Sequence, residues 1–161
     1  MSQPDDGVDL RTSLGYLLKE ASSALRTAME EVLRPLGMSV THYSCLELLA
    51  QRPGLSSSEL ARGTFVTRQT MNVLLQALER DGDVARPAEA AVGKVLPTRL
   101  TPQGRRRLAQ ASAAVRSVEV RMTADLSEAQ QATALRTLQS MVRSLRTGGD
   151  AVPLDRGPHD R

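Results

Sequence analysis

The chain is almost without aromatic residues and has a single cysteine. Its 161 residues include one Phe, two Tyr and no Trp, and aromatics make up 2% of the composition. The core must therefore be built from Leu, Val, Ala and Met, which suits packed helices better than a β-sandwich. The lone Cys45 excludes an intramolecular disulfide framework. The length favours one domain that is large enough to bury a core.

The sequence also lacks features typical of membrane proteins and enzymes. No apolar run approaches the roughly 20 residues of a membrane span, and the N-terminal stretch MSQPDDGVDLR has no signal-peptide core. Neither a Ser/His/Asp ordering, nor a Gly-rich phosphate loop, nor a helix-borne His pair is present. We therefore expect a cytoplasmic protein that is not an enzyme and has no metal or cofactor.

Positive charge is concentrated in the middle of the chain, although the formal net charge is only +3. Between residues 37 and 107, ten Arg or Lys residues stand against six Asp or Glu residues, which leaves +4 in this segment. A nucleic-acid-binding surface would have this distribution, and so would an ordinary solvated basic surface.

The same segment has the pattern of a helix-turn-helix. Ser56 and Glu59 have the spacing of a capping box and predict the start of a short helix. The run 62–66 then breaks the helical period. Thr67 is a suitable cap for a second helix, which we predict over Arg68–Arg80.

The second helix is amphipathic and ends at Gly82, where glycine accepts a positive φ. Apolar residues recur on one side of it at helical spacing, namely Met71, Leu74, Leu75 and Leu78. The opposite side carries hydrogen-bonding groups near the helix N-terminus, which we predict contact base edges in the major groove: Arg68, Gln69, Thr70, Asn72 and Gln76.

A short β-wing is predicted after this helix. Residues 84–87 and 94–100 are two extended runs around a tip of small residues at 88–93. Thr101 and Pro102 then provide the cap and first position of another helix.

Two stretches, SELARGTFVTRQTMNVLLQALERDGDVAR and RLTPQGRRRL, resemble the MarR family of bacterial transcription regulators. The resemblance covers roughly residues 10–146. It implies a mainly α fold, a winged helix-turn-helix with long N- and C-terminal dimerisation helices and a short β-wing. It also implies a homodimer that binds double-stranded promoter DNA as a repressor and is released by a small aromatic or lipophilic effector.

Within this resemblance, further DNA contacts are predicted outside the main reading face. We expect phosphate contacts from Ser57 and Thr67, and wing or flanking backbone contacts from Arg86, Lys94 and Arg99.

The chain departs from the family pattern at three positions. Family wings usually carry an Asp and an Arg where this chain has Val92 and Lys94, and the recognition helix often has an Arg at the position of Val73. Because Lys lacks the planar guanidinium fork, we expect weaker insertion into a narrow minor groove. The alternative function is therefore a MarR-like protein-interaction module or anti-repressor with weakened DNA binding.

Long helices are predicted on both sides of the winged segment. The first begins at an Asp9 cap and ends near Arg34, and a shorter one follows over 41–50. Another extends from Pro102 to about Ala124. A last helix, opened by a Ser127 capping box, ends at Arg146.

In domain terms, we predict a single domain over 9–146. Its dimerisation helices occupy 9–36 and 102–146, its winged helix-turn-helix occupies 37–101, and residues 1–8 and 147–161 are disordered.

The terminal helices carry broad apolar stripes that predict a two-fold dimer, with a monomeric helical bundle as the alternative. The residues predicted to line the dimer interface are Leu10, Leu14, Leu17, Val118, Met122, Leu135, Leu138, Met141 and Leu145.

Other candidate sites lie around the helix at 41–50. Polar groups among apolar ones suggest an effector pocket formed by Ser22, His42, Tyr43 and Leu46. His42 and Cys45 lie three residues apart, but two ligands are too few for a zinc site, so we predict a buried pair instead. A thiol redox sensor at Cys45 is a further alternative, although a buried Cys without a cationic neighbour is usually inert.

Overall fold

A computed structural model of the chain describes residues 7–86 and 98–147. It contains two compact units, Met1–Arg121 and Met122–Arg161. The described residues form six α-helices and one two-stranded sheet, so the mainly α fold class is confirmed. No helix among them is both long and apolar enough to cross a membrane. The prediction of a single domain over 9–146 stays a prediction.

The first helix, α1, spans Leu14–Leu33 and starts later than predicted. Its cap is Ser13, whose Oγ accepts a hydrogen bond from the backbone N–H of Tyr16 at 3.3 Å. The predicted cap Asp9 instead accepts a hydrogen bond from the backbone N–H of Arg11 at 3.0 Å in a preceding turn. Both residue types cap helices well, and the later one does so here.

The second helix, α2, spans Val40–Gln51 and is joined to α1 by a short 3-10 turn at Arg34–Leu36. Gly37 follows this turn with φ 64°, a left-handed conformation that favours glycine. Ser39 caps α2 by accepting a hydrogen bond from the backbone N–H of His42 at 3.1 Å.

The helix-turn-helix consists of α3, Ser57–Gly63, and α4, Arg68–Arg80. The capping box before α3 is complete: the Ser56 N–H donates to Glu59 Oε2 at 2.8 Å, and the Glu59 N–H donates to Ser56 Oγ at 3.2 Å. Thr67 caps α4. The predicted bounds of α4 and the predicted start of α3 are confirmed, whereas α3 extends to Gly63, two residues into the run 62–66 that was expected to break the helix.

The base of the wing is a minimal antiparallel pair, β1 at Val84–Ala85 and β2 at Arg99–Leu100, with Val84 opposite Leu100. The two extended runs are thus confirmed where they meet at the sheet. Residues 87–97 of the predicted wing, including Lys94, lie outside the described residues.

Two long helices complete the described chain, α5 at Pro102–Met122 and α6 at Glu128–Thr147. Thr101 caps α5 by accepting a hydrogen bond from the Gly104 N–H at 3.0 Å. The capping box at Ser127 is also confirmed. Because α6 includes Thr147, the described helix extends one residue into the predicted tail. The rest of that tail, and residues 1–6 of the predicted disordered N-terminus 1–8, lie outside the described residues.

The core of the first unit is aliphatic, as the shortage of aromatic residues required. Leucines dominate it, with two Met and one Cys. The apolar side chains without exposed surface are Leu33, Cys45, Leu46, Leu60, Met71, Leu75, Leu78 and Ala111. The buried residues Leu108, Ala111 and Val115 of α5 join the same cluster.

One glycine allows α5 to pack directly on the backbone that follows α4. A Cβ placed on Gly104 would lie 2.0 Å from the carbonyl oxygen of Asp83. That atom cannot move aside like the end of a side chain, because it also accepts the Thr101 N–H at 3.0 Å. Position 104 therefore has to be glycine for this packing to form.

We predict that Gly104→Ala lowers the free energy of unfolding by about 3 kcal/mol or more, because overpacking against backbone has no cheap relaxation. Gly37→Ala is the matched control. Its Cβ would meet nothing within 4 Å. The free energy of unfolding should therefore fall only by the cost of a positive φ in alanine, about 1 kcal/mol. Urea unfolding of both variants measures the difference, and equal losses would contradict the assigned contact.

Candidate nucleic-acid interface

The recognition helix α4 divides cleanly into a buried side and an exposed side. Met71, Leu75 and Leu78 have no exposed surface, and Leu74 is half-buried. The predicted inner face is therefore confirmed. This burial holds the helix against the core and determines which side chains face outward.

The outward side is polar near the helix N-terminus. All five predicted base-contacting residues are exposed on this side of α4, four of them in its first five residues: Arg68, Gln69, Thr70, Asn72 and Gln76. Amide side chains such as Gln69 and Asn72 can pair bidentately with adenine, and a guanidinium such as that of Arg68 can pair with guanine or a phosphate. The arrangement suits contact with base edges in a major groove.

The N-terminus of α4 is organised by its cap. Thr67 Oγ1 accepts the Thr70 N–H at 3.1 Å and hydrogen-bonds to the Thr70 hydroxyl at 2.9 Å. Thr67 itself is exposed, whereas Ser57 at the start of α3 is half-buried. Because the free N–H groups at a helix start favour anions, these positions suit phosphate contacts.

The two arginines at the base of the wing differ in exposure and in ion pairing. Arg86 is half-buried and pairs with Glu79 of α4, with an Nη2–Oε2 distance of 3.2 Å. Arg99 on β2 is exposed. The pairing partly neutralises Arg86, so Arg99 is the more available phosphate contact of the two.

A buried carboxylate, which the sequence patterns did not predict, connects the end of α4 to α5. Asp83 has no exposed surface. Its side chain accepts a hydrogen bond from Gln103 Nε2 at 3.2 Å and one from Arg107 Nη1. Arg107 Nη2 also donates to the carbonyl oxygen of Leu36 at 3.4 Å. These contacts join the 3-10 turn, the wing base and α5.

His42 of α2 faces this carboxylate. It is buried, and its Nε2 lies 3.5 Å from Asp83 Oδ2 without a hydrogen-bond partner among the described residues. Burial lowers the pKa of His42 below its usual 6.5, and the nearby Arg107 charge lowers it further, while Asp83 and Asp81 act in the opposite direction. His42 is therefore neutral at neutral pH.

A lowered His42 pKa predicts a stability that falls on acidification. Between the folded-state pKa and 6.5 the unfolded chain binds more protons, so the free energy of unfolding decreases as pH falls through this window and is fully restored above it. Urea unfolding at several pH values should show this slope, and His42→Asn should flatten it. A proton NMR titration of His42 with its midpoint above 6.5 would contradict the assignment.

Cys45 is an inert core residue. Its side chain has no exposed surface, its Sγ lies 3.9 Å from Met71 Sδ, and burial raises the pKa of its thiol to about 12. A thiolate is the reactive form, so the redox-sensor alternative is wrong for this conformation. Groups of three or more potential metal ligands are absent from the part of the chain that the structure describes.

We predict that the Cys45 thiol of the folded protein reacts at least about 100-fold more slowly with a disulfide reagent at pH 8 than in urea, because burial suppresses the thiolate. The reaction is followed by the absorbance of the thiol that the reagent releases. Since the chain has one cysteine, this signal comes from Cys45 alone. Rapid, complete modification of the folded protein would show that Cys45 is accessible.

The predicted effector residues are in different environments. Ser22 is exposed on α1, and Tyr43 is half-buried on α2 beside Ser112 of α5, whose hydroxyl donates to Glu47 at 3.1 Å. Leu46 has no exposed surface. The prediction for Leu46 is therefore wrong for this conformation, because a fully buried side chain cannot line an open pocket.

Most residues predicted for dimerisation are exposed in the single chain. The exposed ones are Leu10, Leu14 and Leu17 near the N-terminus, Met122 at the end of α5, and Leu135, Leu138 and Leu145 on α6; Met141 is half-buried. Val118 is only 3% exposed. The prediction for Val118 is wrong, because its own chain already covers it. Leu10 precedes α1 and does not belong to that helix.

Comparison with known proteins agrees with this architecture. The MarR family model matches residues 36–94. An HTH-type transcriptional repressor of Mycobacterium tuberculosis, Rv2887, is 44% identical over 128 residues, which are 80% of this chain and 92% of that protein. Its crystal structure with DNA has a TM-score of 0.69 at 42% identity and covers 81% of this chain and 98% of that one.

A second relative extends the comparison. The transcriptional repressor CouR bound to a 23-mer DNA duplex has a TM-score of 0.75 at 27% identity, covering 88% of this chain and 99% of that one. Structures also exist of Rv2887 with salicylic acid and of CouR with p-coumaroyl-CoA. With a relative at 44% identity over most of both chains, the predicted family is confirmed, and the chain belongs to the MarR family of transcriptional regulators.

Proposed function

We propose that this chain is a homodimeric repressor that binds a pseudo-palindromic promoter site through α4 and leaves it when a small-molecule effector binds. The observation that carries the proposal is the exposed polar side of α4, set at the helix N-terminus and backed by a fully buried inner side. The role is non-enzymatic and belongs to the bacterial cytoplasm, where promoter DNA is found.

Support for a dimer comes from helices that leave apolar surface uncovered. Helix α6 has no buried residue, even though it carries several large apolar side chains. Four of them are between 45% and 80% exposed: Leu135, Leu138, Val142 and Leu145. On α1, Leu14 and Leu17 are likewise exposed. Apolar stripes of this extent need a partner surface, and a second copy of the chain supplies one with two-fold symmetry.

Two-fold symmetry also suits the reading of DNA. Two copies of α4 related by a dyad would enter successive major grooves about one helical turn apart, which is why such dimers select pseudo-palindromes. The exposed Arg99 of each copy would then contact backbone phosphates beside the half-site.

The effector proposed is a small aromatic or lipophilic molecule. Rv2887 with salicylic acid and CouR with p-coumaroyl-CoA support this class. Release follows if the effector binds more tightly to a dimer whose recognition helices have the wrong separation for DNA, because the population then shifts to that form. Ser22, His42 and Tyr43 stay candidates for contacts to it.

The experiment that tests the proposal is a gel shift with the DNA upstream of the gene encoding this chain, competed with unrelated duplex. We predict that Gln69→Ala or Asn72→Ala costs about 1–3 kcal/mol on the preferred sequence and little on non-specific DNA. Gln110→Ala, the same truncation at an exposed position of α5, is the control. Equal weakening on all sequences would contradict base contact, and no specific shift by the unmutated protein would favour the protein-interaction alternative.

For the dimer, we predict that Leu138→Arg yields monomers in light scattering, because an unpaired charge buried in the interface costs about 3 kcal/mol or more. Ser140→Arg is the matched control, since residue 140 is exposed and lies about 200° around the helix from residue 138. If the unmutated protein is monomeric at micromolar concentration, the proposed two-fold dimer is contradicted.

A further inference from the structure

Two exposed apolar side chains lie within the winged helix-turn-helix itself. From α2 to Arg86, the large hydrophobic residues that are exposed are Phe65, at 88%, and Val73, at 63%. The other large exposed hydrophobics in the described part of the chain belong to α1, α5, α6 and the residues next to them, where a partner subunit is proposed. These two residues need a different explanation.

Val73 lies in the middle of the polar side of α4. It follows Gln69 by four residues and precedes Gln76 by three, and all three are exposed. Residues at these spacings are neighbours on one helix surface. Any duplex contacted by both Gln side chains is therefore within reach of Val73 as well.

The chemistry of base edges limits what Val73 can recognise. A valine side chain has no hydrogen-bonding group, and the apolar group that bases present in the major groove is the C5-methyl of thymine. We propose that Val73 is a specificity-determining residue that contacts a thymine methyl group in each half-site. This inference rests on the proposed function, because it requires α4 to enter the major groove.

The test deletes the methyl group from the DNA. Duplexes that the unmutated protein selects from a randomised library are prepared with thymine or with uracil, which differ by that methyl alone. We expect the unmutated protein to bind the uracil form about fourfold more weakly per contacted methyl, the equivalent of ~0.8 kcal/mol for one buried carbon. Val73→Ala should bind the thymine form more weakly and lose most of its sensitivity to uracil.

The control is Gln110→Ala, at an exposed position of α5 that has no proposed part in the dimer or in DNA binding. It should behave like the unmutated protein on both duplexes. If Val73→Ala remains as sensitive to uracil as the unmutated protein, Val73 does not contact the methyl and the inference fails. If the unmutated protein selects no sequence at all, the proposed function fails instead, so the two outcomes are distinct.

Phe65 supports a second inference through its backbone. Its φ of 59° makes it the one non-glycine residue with positive φ in the described part of the chain. The hydrogen bonds from Phe65 N to the Arg62 carbonyl, 3.3 Å, and from Val66 N to the Ala61 carbonyl, 3.0 Å, close the end of α3. Glycine is the usual residue at this position of a helix end, because a Cβ there is strained.

No packing of the Phe65 side chain in its own chain offsets the strain of its backbone. With 88% of it exposed, its ring buries almost nothing in its own chain. Strained residues of this kind cluster at functional sites. Because Phe65 lies two residues before the cap of α4, we propose that its ring packs against the DNA beside the N-terminus of the recognition helix.

This proposal predicts opposite effects on stability and binding. Phe65→Gly should raise the free energy of unfolding, since it relieves the positive φ, yet weaken binding to the selected duplex about tenfold, or 1.4 kcal/mol. Phe65→Asn, which also tolerates this backbone conformation, should weaken binding similarly. Unchanged affinity in both variants would overturn the proposal. Lower affinity together with lower stability in Phe65→Gly would instead assign Phe65 a structural role.

Discussion

The buried contact between Asp83 and the first two turns of α5 constrains the rest of the first unit. The backbone carbonyl of Asp83 accepts the Thr101 N–H at 3.0 Å and sits where a side chain on residue 104 would be. Its carboxylate accepts hydrogen bonds from Gln103 and Arg107. A carboxylate without exposed surface is costly unless it is paired, so these partners have to stay in place for the fold to persist.

This contact also determines where the DNA-binding elements can be. Asp83 separates the end of α4 from β1, so fixing it to α5 fixes the start of the wing relative to the recognition helix. Arg107 carries the connection on to the Leu36 carbonyl at the junction of α1 and α2. A shift of that junction would therefore displace Arg107, and with it Asp83 at the base of the wing. In the proposed dimer, this contact is a physical route from the proposed effector residues on α1 and α2 to the spacing of the two recognition helices.

Local signals in the sequence were sufficient for most helix boundaries. The capping boxes at Ser56 and Ser127 and the caps at Thr67 and Thr101 act through neighbours within three residues, so sequence spacing predicts them. The start of α1 was predicted wrongly, because Asp9 and Ser13 are both good caps and only the folded chain distinguishes them.

Long-range features could not be predicted in the same way. The hydrogen-bond donors to the Asp83 carboxylate lie 20 or more residues away, and a charged residue beside a turn ordinarily predicts exposure. The one available signal was Gly104 inside a helix, where glycine is unfavourable without a packing reason. Val118 was assigned to the dimer because an apolar stripe does not reveal which part its own chain covers. Likewise, no sequence pattern indicated that Phe65 would adopt a positive φ and remain exposed.

The central claim is that two copies of this chain present two α4 helices to one DNA site. Its most direct test is selection of bound duplexes from a randomised library, followed by measurement of protein–DNA stoichiometry on the enriched sequence. The account predicts two inverted half-sites with centres about 10 base pairs apart, or a multiple of that spacing, bound by two subunits. A single half-site bound by one subunit, or no enriched sequence, would contradict it.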